Sequence, residues 1–530
     1  MNHSVWCLFC ISLFLLSPPT EQVSTASDPH YWAGVVEFSS QPIEGESDIA
    51  ATERRLAKYL EIIASPDAVP ADVLAFPENT LDTRSTASFV PHPADRIIPC
   101  NNLRYEKTVR DVSCEAQRTK KYVLINLTEK ARCPEGGDTR PCGPDGHYHF
   151  NTNVAFDRDG MVVSRYRKFH LFGEAGMNTT VFPEIASFET DFGVTFGHFI
   201  CFDMMFNQPA LDLVALRVTD FIFPTMWFSE LPFLTASQIQ QGWALSNNVN
   251  LLAAGASWPA VGSTGTGIYS GKRGTITTVM NHEADTKLYI AQVPKIQFPE
   301  TPVSKLPQHS GTPSQMAKLR LKRDHIDGYK TSDLPMVSNA AYEKSVCYDS
   351  TSFCCSFTIN YTVKEMLPSQ NHYRYKLVAY DAERTFDGFA DGEITTCAIL
   401  ACSSDNYADC SQRFGEGQSY EDSVTFNAIS ISAKFANNYE TFVLPTSVDT
   451  SIMPLDVTET EYTVVPSATD NEPHNMITYK LIRPRSDLLS FAIWSRKFDY
   501  RASGAPLPGV VPSLVLLAAL WGVMRNVCRF

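Results

Sequence analysis

An α/β core followed by a smaller, β-rich, disulfide-stapled domain is the fold class this chain predicts. Two observations carry that expectation. From about residue 29 to 294, short apolar runs of strand length alternate with longer helical stretches, the pattern of an α/β domain. From about 334 to 500, apolar and polar residues alternate with a period of two, and six of the fourteen cysteines gather there. A chain of 530 residues is long enough for two or three domains.

In the first half the strand candidates are Trp32–Phe38, Val73–Phe76, Tyr122–Leu127, Asn153–Phe156, Val194–Phe202, Phe221–Phe223, Val249–Ala254 and Lys287–Val293. Several are continuously apolar, as strands covered on both faces are. Asp48–Ser65 reads as an amphipathic helix with Leu56, Tyr59, Leu60 and Ile63 on one stripe, and Leu234–Asn248 as a second. Together they make a domain over 27–294, and the proline-rich 295–333 reads as a connector. In the second half, 334–500, Ser352–Lys364, His372–Tyr380, Ser423–Phe435 and Met476–Ile482 read as strands. The apolar phase slips between Ala428 and Ile429, which predicts a bulge.

The two ends read as processing signals. Residues 1–26 hold an apolar run from Val5 to Leu16 and small residues at Ser24–Ala26, as a signal peptide does, although no Lys or Arg precedes the run. At the other end, small residues, a short spacer and the apolar stretch Val510–Val523 resemble a removable GPI-attachment signal over 504–530, with Ser503 or Gly504 as the attachment point. A single-pass helix with Arg525 and Arg529 on the cytoplasmic side is the rival. Either reading puts the body outside the cell, tethered to a membrane. Sequons at Asn126, Asn178 and Asn360 fit a secreted glycoprotein.

A net charge of −14 and the absence of a long basic patch argue against a nucleic-acid partner. Outside the leader there is no Cys-x-x-Cys, no His-Glu-x-x-His and no histidine cluster, so no metal or other cofactor is expected. Oligomeric state is not legible.

Cysteine arithmetic then isolates one residue. Setting aside Cys7, Cys10 and Cys528 in the terminal segments leaves eleven of fourteen, an odd number where an oxidising compartment pairs thiols. Cys100–Cys114 and Cys133–Cys142 are the nearest pairs. The C-terminal six (Cys347, Cys354, Cys355, Cys397, Cys402, Cys410) allow too many connectivities to choose among, though the adjacent Cys354 and Cys355 need different partners. Cys201 is left over, at the end of an apolar run.

A lone thiol acts on amides when one group takes its proton and another stabilises the oxyanion. His198, three residues away, would point to the opposite strand face. Two other stretches fit better. Val73-Leu-Ala-Phe-Pro-Glu78 puts a carboxylate just past a strand, and Val163-Ser-Arg-Tyr-Arg-Lys168 does the same for an ammonium. Groups at strand ends gather where loops open over a sheet edge. Taken singly, Cys201 reads equally well as a buried structural thiol, Glu78 as a helix-terminal carboxylate and Lys168 as a surface cation.

Phe-Pro-Glu, Arg-Tyr-Arg-Lys-Phe-His-Leu-Phe-Gly-Glu and Phe-Gly-His-Phe-Ile-Cys-Phe-Asp, in that order, resemble the three motifs of the carbon–nitrogen hydrolase (nitrilase) superfamily, most closely its vanin and biotinidase branch. Phe223-Pro-Thr-Met-Trp-Phe-Ser-Glu-Leu-Pro232 and Thr264-Gly-Thr-Gly-Ile-Tyr269 are similar to that branch as well. The resemblance implies a four-layer α-β-β-α sandwich, which composition does not distinguish from a doubly wound sheet. It implies Glu78 as general base and acid, Lys168 as oxyanion stabiliser with the backbone N–H of Phe202, and Cys201 as the nucleophile of a thioester. Glu174 is the candidate second glutamate, and Trp227 and Tyr269 are candidate pocket residues. The expected substrate is a small linear amide: pantetheine, split to pantothenate and cysteamine. Biotinyl-lysine is the alternative, and a catalytically silent recognition ectodomain the rival from another class. Alkylation is expected to separate enzyme from silent ectodomain: an active-site thiolate reacts quickly with iodoacetamide at neutral pH, and a buried structural thiol does not.

Overall fold

The computed structural model describes residues 23–134, 138, 140–298, 303, 305, 309–467 and 473–498. Residues 1–22 of the expected signal peptide and the attachment signal, with Ser503 and Gly504, lie outside the described residues. The last four residues of that peptide, 23–26, are described, and the N–H of the buried Ser24 donates to Asp72 Oδ1 at 3.1 Å.

The first half is built on two sheets. One has six strands, in spatial order Lys287–Pro294, His30–Glu37, Val73–Ala75, Tyr122–Arg132, His147–Phe156 and Val162–Arg167. The other has seven: His309–Ser310, Thr275–Met280, Thr266–Ser270, Asn250–Gly255, Asp220–Thr225, Thr195–His198 and Ser187–Glu189. Apolar side chains from both, among them Val35, Val73, Leu124, Ile222, Leu252 and Ile268, meet in a core between the sheets. The helices Asp48–Ile63 and Lys107–Thr119 cover the outer face of the first sheet through Leu56, Tyr59, Ile63, Val109 and Val112. The helix Ala236–Asn247 covers the second. The result is the α-β-β-α sandwich that the resemblance implies.

Local chemistry explains the helices that frame it. Ser47 caps the first, accepting from the Ala50 N–H at 3.3 Å. The helix Lys107–Thr119, absent from the sequence-based expectations, ends in a left-handed Lys120 at φ 54°. Its buried stripe is built from small residues (Thr108, Val109, Val112, Ser113, Ala116) rather than from large apolar ones.

The second half is two five-stranded antiparallel sheets packed face to face, one of them holding Arg374–Phe386, Ala390–Cys402 and Leu488–Lys497. The predicted strand slip is a bulge. Asn360 faces Ala428 and Tyr361 faces Phe426, which leaves Asn427 as the extra residue. Five disulfides hold the described chain: Cys100–Cys114, Cys133–Cys142, Cys347–Cys354, Cys355–Cys397 and Cys402–Cys410. The bridge Cys355–Cys397 spans 42 residues and ties the two sheets together; closing a loop of that length removes about 4 kcal/mol of unfolded-chain entropy.

The two halves share one apolar core, and the helix Ala236–Asn247 lies in the middle of it. Its far face packs on the strand Thr441–Asp449. Gly242 sits there because a Cβ would come 2.5 Å from the Pro445 carbonyl oxygen. Polar contacts seal the seam: Gln241 Nε2 donates to Leu455 O at 2.6 Å, and Thr446 Oγ1 donates to Phe233 O at 3.0 Å.

Candidate active site

Four strands deliver the site from their carboxyl ends. Val73–Ala75 leads to Glu78, Val162–Arg167 to Lys168, Thr195–His198 to Cys201, and Asp220–Thr225 to Met226 and Trp227. The first two belong to one sheet and the last two to the other, so the groups meet at one end of the gap between the layers.

Glu78 is 1 % exposed, and donors surround it. Its Oε1 accepts from Lys168 Nζ at 2.7 Å and from Asn151 Nδ2 at 2.8 Å; its Oε2 accepts from the Met226 N–H at 2.8 Å. Lys168 Nζ also donates to Glu174 Oε1 at 2.5 Å. Asn151 Nδ2 reaches that same oxygen at 3.2 Å. Burial works against the charge of Lys168, but the carboxylates of Glu78 and Glu174 outweigh it and hold its pKa well above the usual range. Burial likewise works against the charge of Glu174, and Lys168 outweighs it, drawing that carboxyl down. A permanent ammonium is thus clamped between two carboxylates.

Cys201 is buried and is the one free cysteine among the described residues. The strand before it stops at His198, short of the expected Phe202, because the chain turns sharply: Cys201 has φ 45° and opens the 3₁₀ turn Cys201–Met205. A left-handed, non-glycine residue is a strained one, and such strain concentrates at functional sites. The N–H of Phe202, second in that turn, has no acceptor within it. Burial, followed by the adjacent Glu78 carboxylate, pushes the Cys201 thiol well up, with Lys168 opposing. That environment favours a thiol beside a carboxylate, the pairing in which Glu78 would act as its base.

Asp203, quoted in the motif but given no role, fastens this turn. It is fully buried, and its carboxylate accepts from Tyr166 Oη at 2.8 Å, from the His170 N–H at 2.9 Å and from the Ile200 N–H at 3.1 Å. The Lys168 loop and the Cys201 turn are thereby held to one another. His198 stays out of the site: its Nε2 pairs with Ser164 Oγ at 2.7 Å, and burial holds it neutral with a pKa lowered to about 3.

Two expected positions move. Tyr269 does not line the pocket. It is 1 % exposed between the second sheet and the helix Ala236–Asn247, donating to Gln240 Oε1 at 3.0 Å and paired with Thr278 Oγ1 at 2.8 Å. Asn126 is no surface sequon. It is 1 % exposed, and its Nδ2 donates to Asn151 Oδ1 at 2.7 Å and Asn153 Oδ1 at 3.1 Å, behind Glu78. A glycan has no room there. Asn178 and Asn360 are half-buried, each with its amide oxygen taken by a neighbour, the His149 N–H and Asn427 Nδ2.

Trp227 does line the pocket, its Nε1 donating to Leu234 O at 2.8 Å. The pocket, about 440 Å³ of space that is partly open to solvent, reaches Cys201 between Phe172, Phe202, Trp227 and Phe228. Phe386 and Asp387, from the second domain, close one side. Sequence reasoning found none of Asn151, Asp203, Phe386 or Asp387; only Asp203, inside a quoted motif, carried any signal. Among the described residues no three His, Cys, Asp or Glu side chains cluster as metal ligands would.

Comparison with known proteins agrees with this architecture. The carbon–nitrogen hydrolase family matches residues 41–256, and the vanin C-terminal domain family matches 319–501. Vanin-like protein 1 of Drosophila melanogaster is 39 % identical over 521 residues, covering 94 % of this chain and 92 % of that protein. A biotinidase of Takifugu rubripes is 30 % identical, covering 80 % of this chain and 87 % of its own. The pantetheinase of Homo sapiens is 30 % identical, covering 75 % and 77 %.

Proposed function

This chain belongs to the vanin branch of the carbon–nitrogen hydrolases and is an amide hydrolase; from that premise we propose that it cleaves pantetheine through a thioester on Cys201. The observation that carries the mechanism is the convergence of Glu78, Lys168 and Cys201, from three strand ends, on one buried point.

Glu78 takes the proton of the Cys201 thiol as sulfur attacks the amide carbonyl, so the thiolate forms only as it is consumed. Of the three N–H donors on Lys168, Glu78 and Glu174 occupy two, which leaves the third for the tetrahedral oxyanion. The N–H of Phe202 supplies a second donor. Glu78 then protonates the departing amine, and the acyl group remains on sulfur. Water, deprotonated by Glu78, hydrolyses the thioester and returns the thiol. Glu174 and Asn151 keep Glu78 and Lys168 in register throughout; an ammonium with one carboxylate alone would transfer or share its proton more readily.

The similarity to a named pantetheinase and the aromatic pocket support a small linear amide. Similarity to a named biotinidase at the same identity supports biotinyl-lysine as the second substrate to try. The deciding experiment is hydrolysis of both by the purified ectodomain, with Cys201→Ala as control. Release of cysteamine from pantetheine, lost in the variant, is expected. Turnover of biotinyl-lysine alone would reassign the substrate, and turnover of neither would overturn the reading. The five disulfides suit an extracellular location, and the C-terminal tail supports a lipid tether. Release of activity from cells by phosphatidylinositol-specific phospholipase C is the expected outcome, and retention on the membrane would favour a spanning helix.

A further inference from the structure

The second domain reaches into the pocket through one hairpin. Its strands Arg374–Phe386 and Ala390–Cys402 are joined by Asp387, Gly388 and Phe389, with Asp387 at φ 52° and Gly388 at φ 74°. The left-handed pair suits Asp and Gly and turns the chain tightly. Several contacts press this turn onto the catalytic domain. Phe389 meets Phe172 edge-on at 4.9 Å, and Phe386 meets Phe202, the residue after the nucleophile, at 5.8 Å. At the hairpin's base, Arg384 Nη1 lies 2.9 Å from Glu230 Oε1 and 2.8 Å from Asp324 Oδ2.

Three charged side chains border a largely aromatic and apolar pocket: Glu230, Lys322 and Asp387. Glu230 is committed to Arg384 by two hydrogen bonds. Lys322, on a short strand paired with Glu230–Leu231, is ion-paired with Asp387, the two side chains 35 % and 38 % exposed, and the ammonium sits over Phe172 and Phe228 at 5.1 and 5.2 Å. One pairing leaves each with spare capacity: two N–H donors on Lys322 and several lone pairs on Asp387.

We propose that Asp387, with Lys322, is a specificity determinant contributed by the second domain, selecting amides whose chain beyond the scissile bond is uncharged and carries hydroxyl or amide groups. Such a chain fills the aromatic channel and exchanges hydrogen bonds with the pair at its mouth. A purely apolar chain of the same length would strip water from both charges and replace none of its hydrogen bonds. A chain with its own charge would oppose one member of the pair. The inference deepens the amidase reading and rests on Cys201 being the reactive centre.

Covalent capture of Cys201 tests it without requiring turnover. Iodoacetamides bearing an N-hydroxypropyl or an N-butyl chain are compared by mass spectrometry on the whole ectodomain. The wild-type protein is expected to react faster with the hydroxylated reagent, and Asp387→Ala to reduce that preference about tenfold. Asp387→Asn, which keeps the left-handed turn but loses the charge, is expected to fall between them and guards against a collapsed hairpin. An unchanged ratio in both variants would overturn the proposal. Equal slowing with both reagents would assign Asp387 a purely structural role and overturn it too. Failure of Cys201 to react with either reagent would refute the amidase reading and this inference with it, whereas capture without selectivity would refute this inference alone.

Discussion

Asn151→Ala removes one side chain and tests how the buried charges are held. In the native site the Asn151 amide donates to Glu78 at 2.8 Å and to Glu174 at 3.2 Å, while its oxygen accepts from Asn126 at 2.7 Å. A hydrogen bond to a buried carboxylate contributes about 1.5–3 kcal/mol, and Asn151 is 1 % exposed. Glu78 keeps Lys168 and the Met226 N–H, so it stays in place but less tightly. If half to most of the lost energy appears in the barrier, the rate falls about 3- to 100-fold, at about 1.4 kcal/mol per decade. The loss is expected in kcat, since Asn151 does not line the substrate pocket. Asn151→Asp sharpens the test by placing a third carboxylate beside one ammonium. It should be worse than alanine at pH 8. Its two anionic neighbours raise its own pKa, so as pH falls it becomes a neutral donor and recovers activity relative to wild type. Steady-state kinetics from pH 5.5 to 8.5 on wild type and both variants decide. Both variants within twofold of wild type, or an aspartate variant better than alanine at pH 8 and losing ground on acidification, would refute the reasoning.

Other consequences are as direct. Asn126→Gln should leave the glycan mass of the secreted protein unchanged and lower its stability by about 1–3 kcal/mol, read by intact mass and urea denaturation; a lost glycan would show that Asn126 is modified. Burial raises the Glu37 carboxyl to about 7 from 4.5, so its stabilising share is complete below about pH 4.5 and fades as pH rises through 7. The gain of Glu37→Gln over wild type should therefore grow by up to about 3 kcal/mol between pH 5 and 8, and parallel pH profiles of unfolding would contradict this. Since the resting Cys201 is a thiol beside its base, Glu78→Gln should slow its alkylation by iodoacetamide at pH 7 at least about tenfold, and equal rates would point to a preformed thiolate.

Much of the first domain was legible because its signals are local. The apolar runs Val73–Ala75 and Asn250–Gly255 announce buried strands, and the stripe of Leu56, Tyr59 and Ile63 announces a helix. The strands Thr266–Ser270 and Thr275–Met280 passed unread. They are rich in threonine and glycine, and only their burial between helix and sheet shows them as core. In the second domain Ala390–Cys402 and Leu488–Lys497 escaped for a similar reason: strands covered on both faces lose the alternation that marks a half-exposed one.

For the site, the order of three motifs and one odd cysteine were properties of the chain itself, since pairing arithmetic and residue type need no coordinates. What the fold alone decided is which polar groups become neighbours after burial. Asn126 reads as a sequon in one dimension and becomes a buried strut because the adjacent strand His147–Phe156 carries both Asn151 and Asn153 beside it. Tyr269 reads as a pocket aromatic and becomes core because its strand lies beneath a helix. Asp387 is 186 residues from Cys201 in the chain yet shares its pocket, because a hairpin of the second domain crosses the seam. Sequence lays out the reactive groups, and packing between distant segments chooses their neighbours, since a side chain's charge state and exposure depend on what surrounds it rather than on what precedes it.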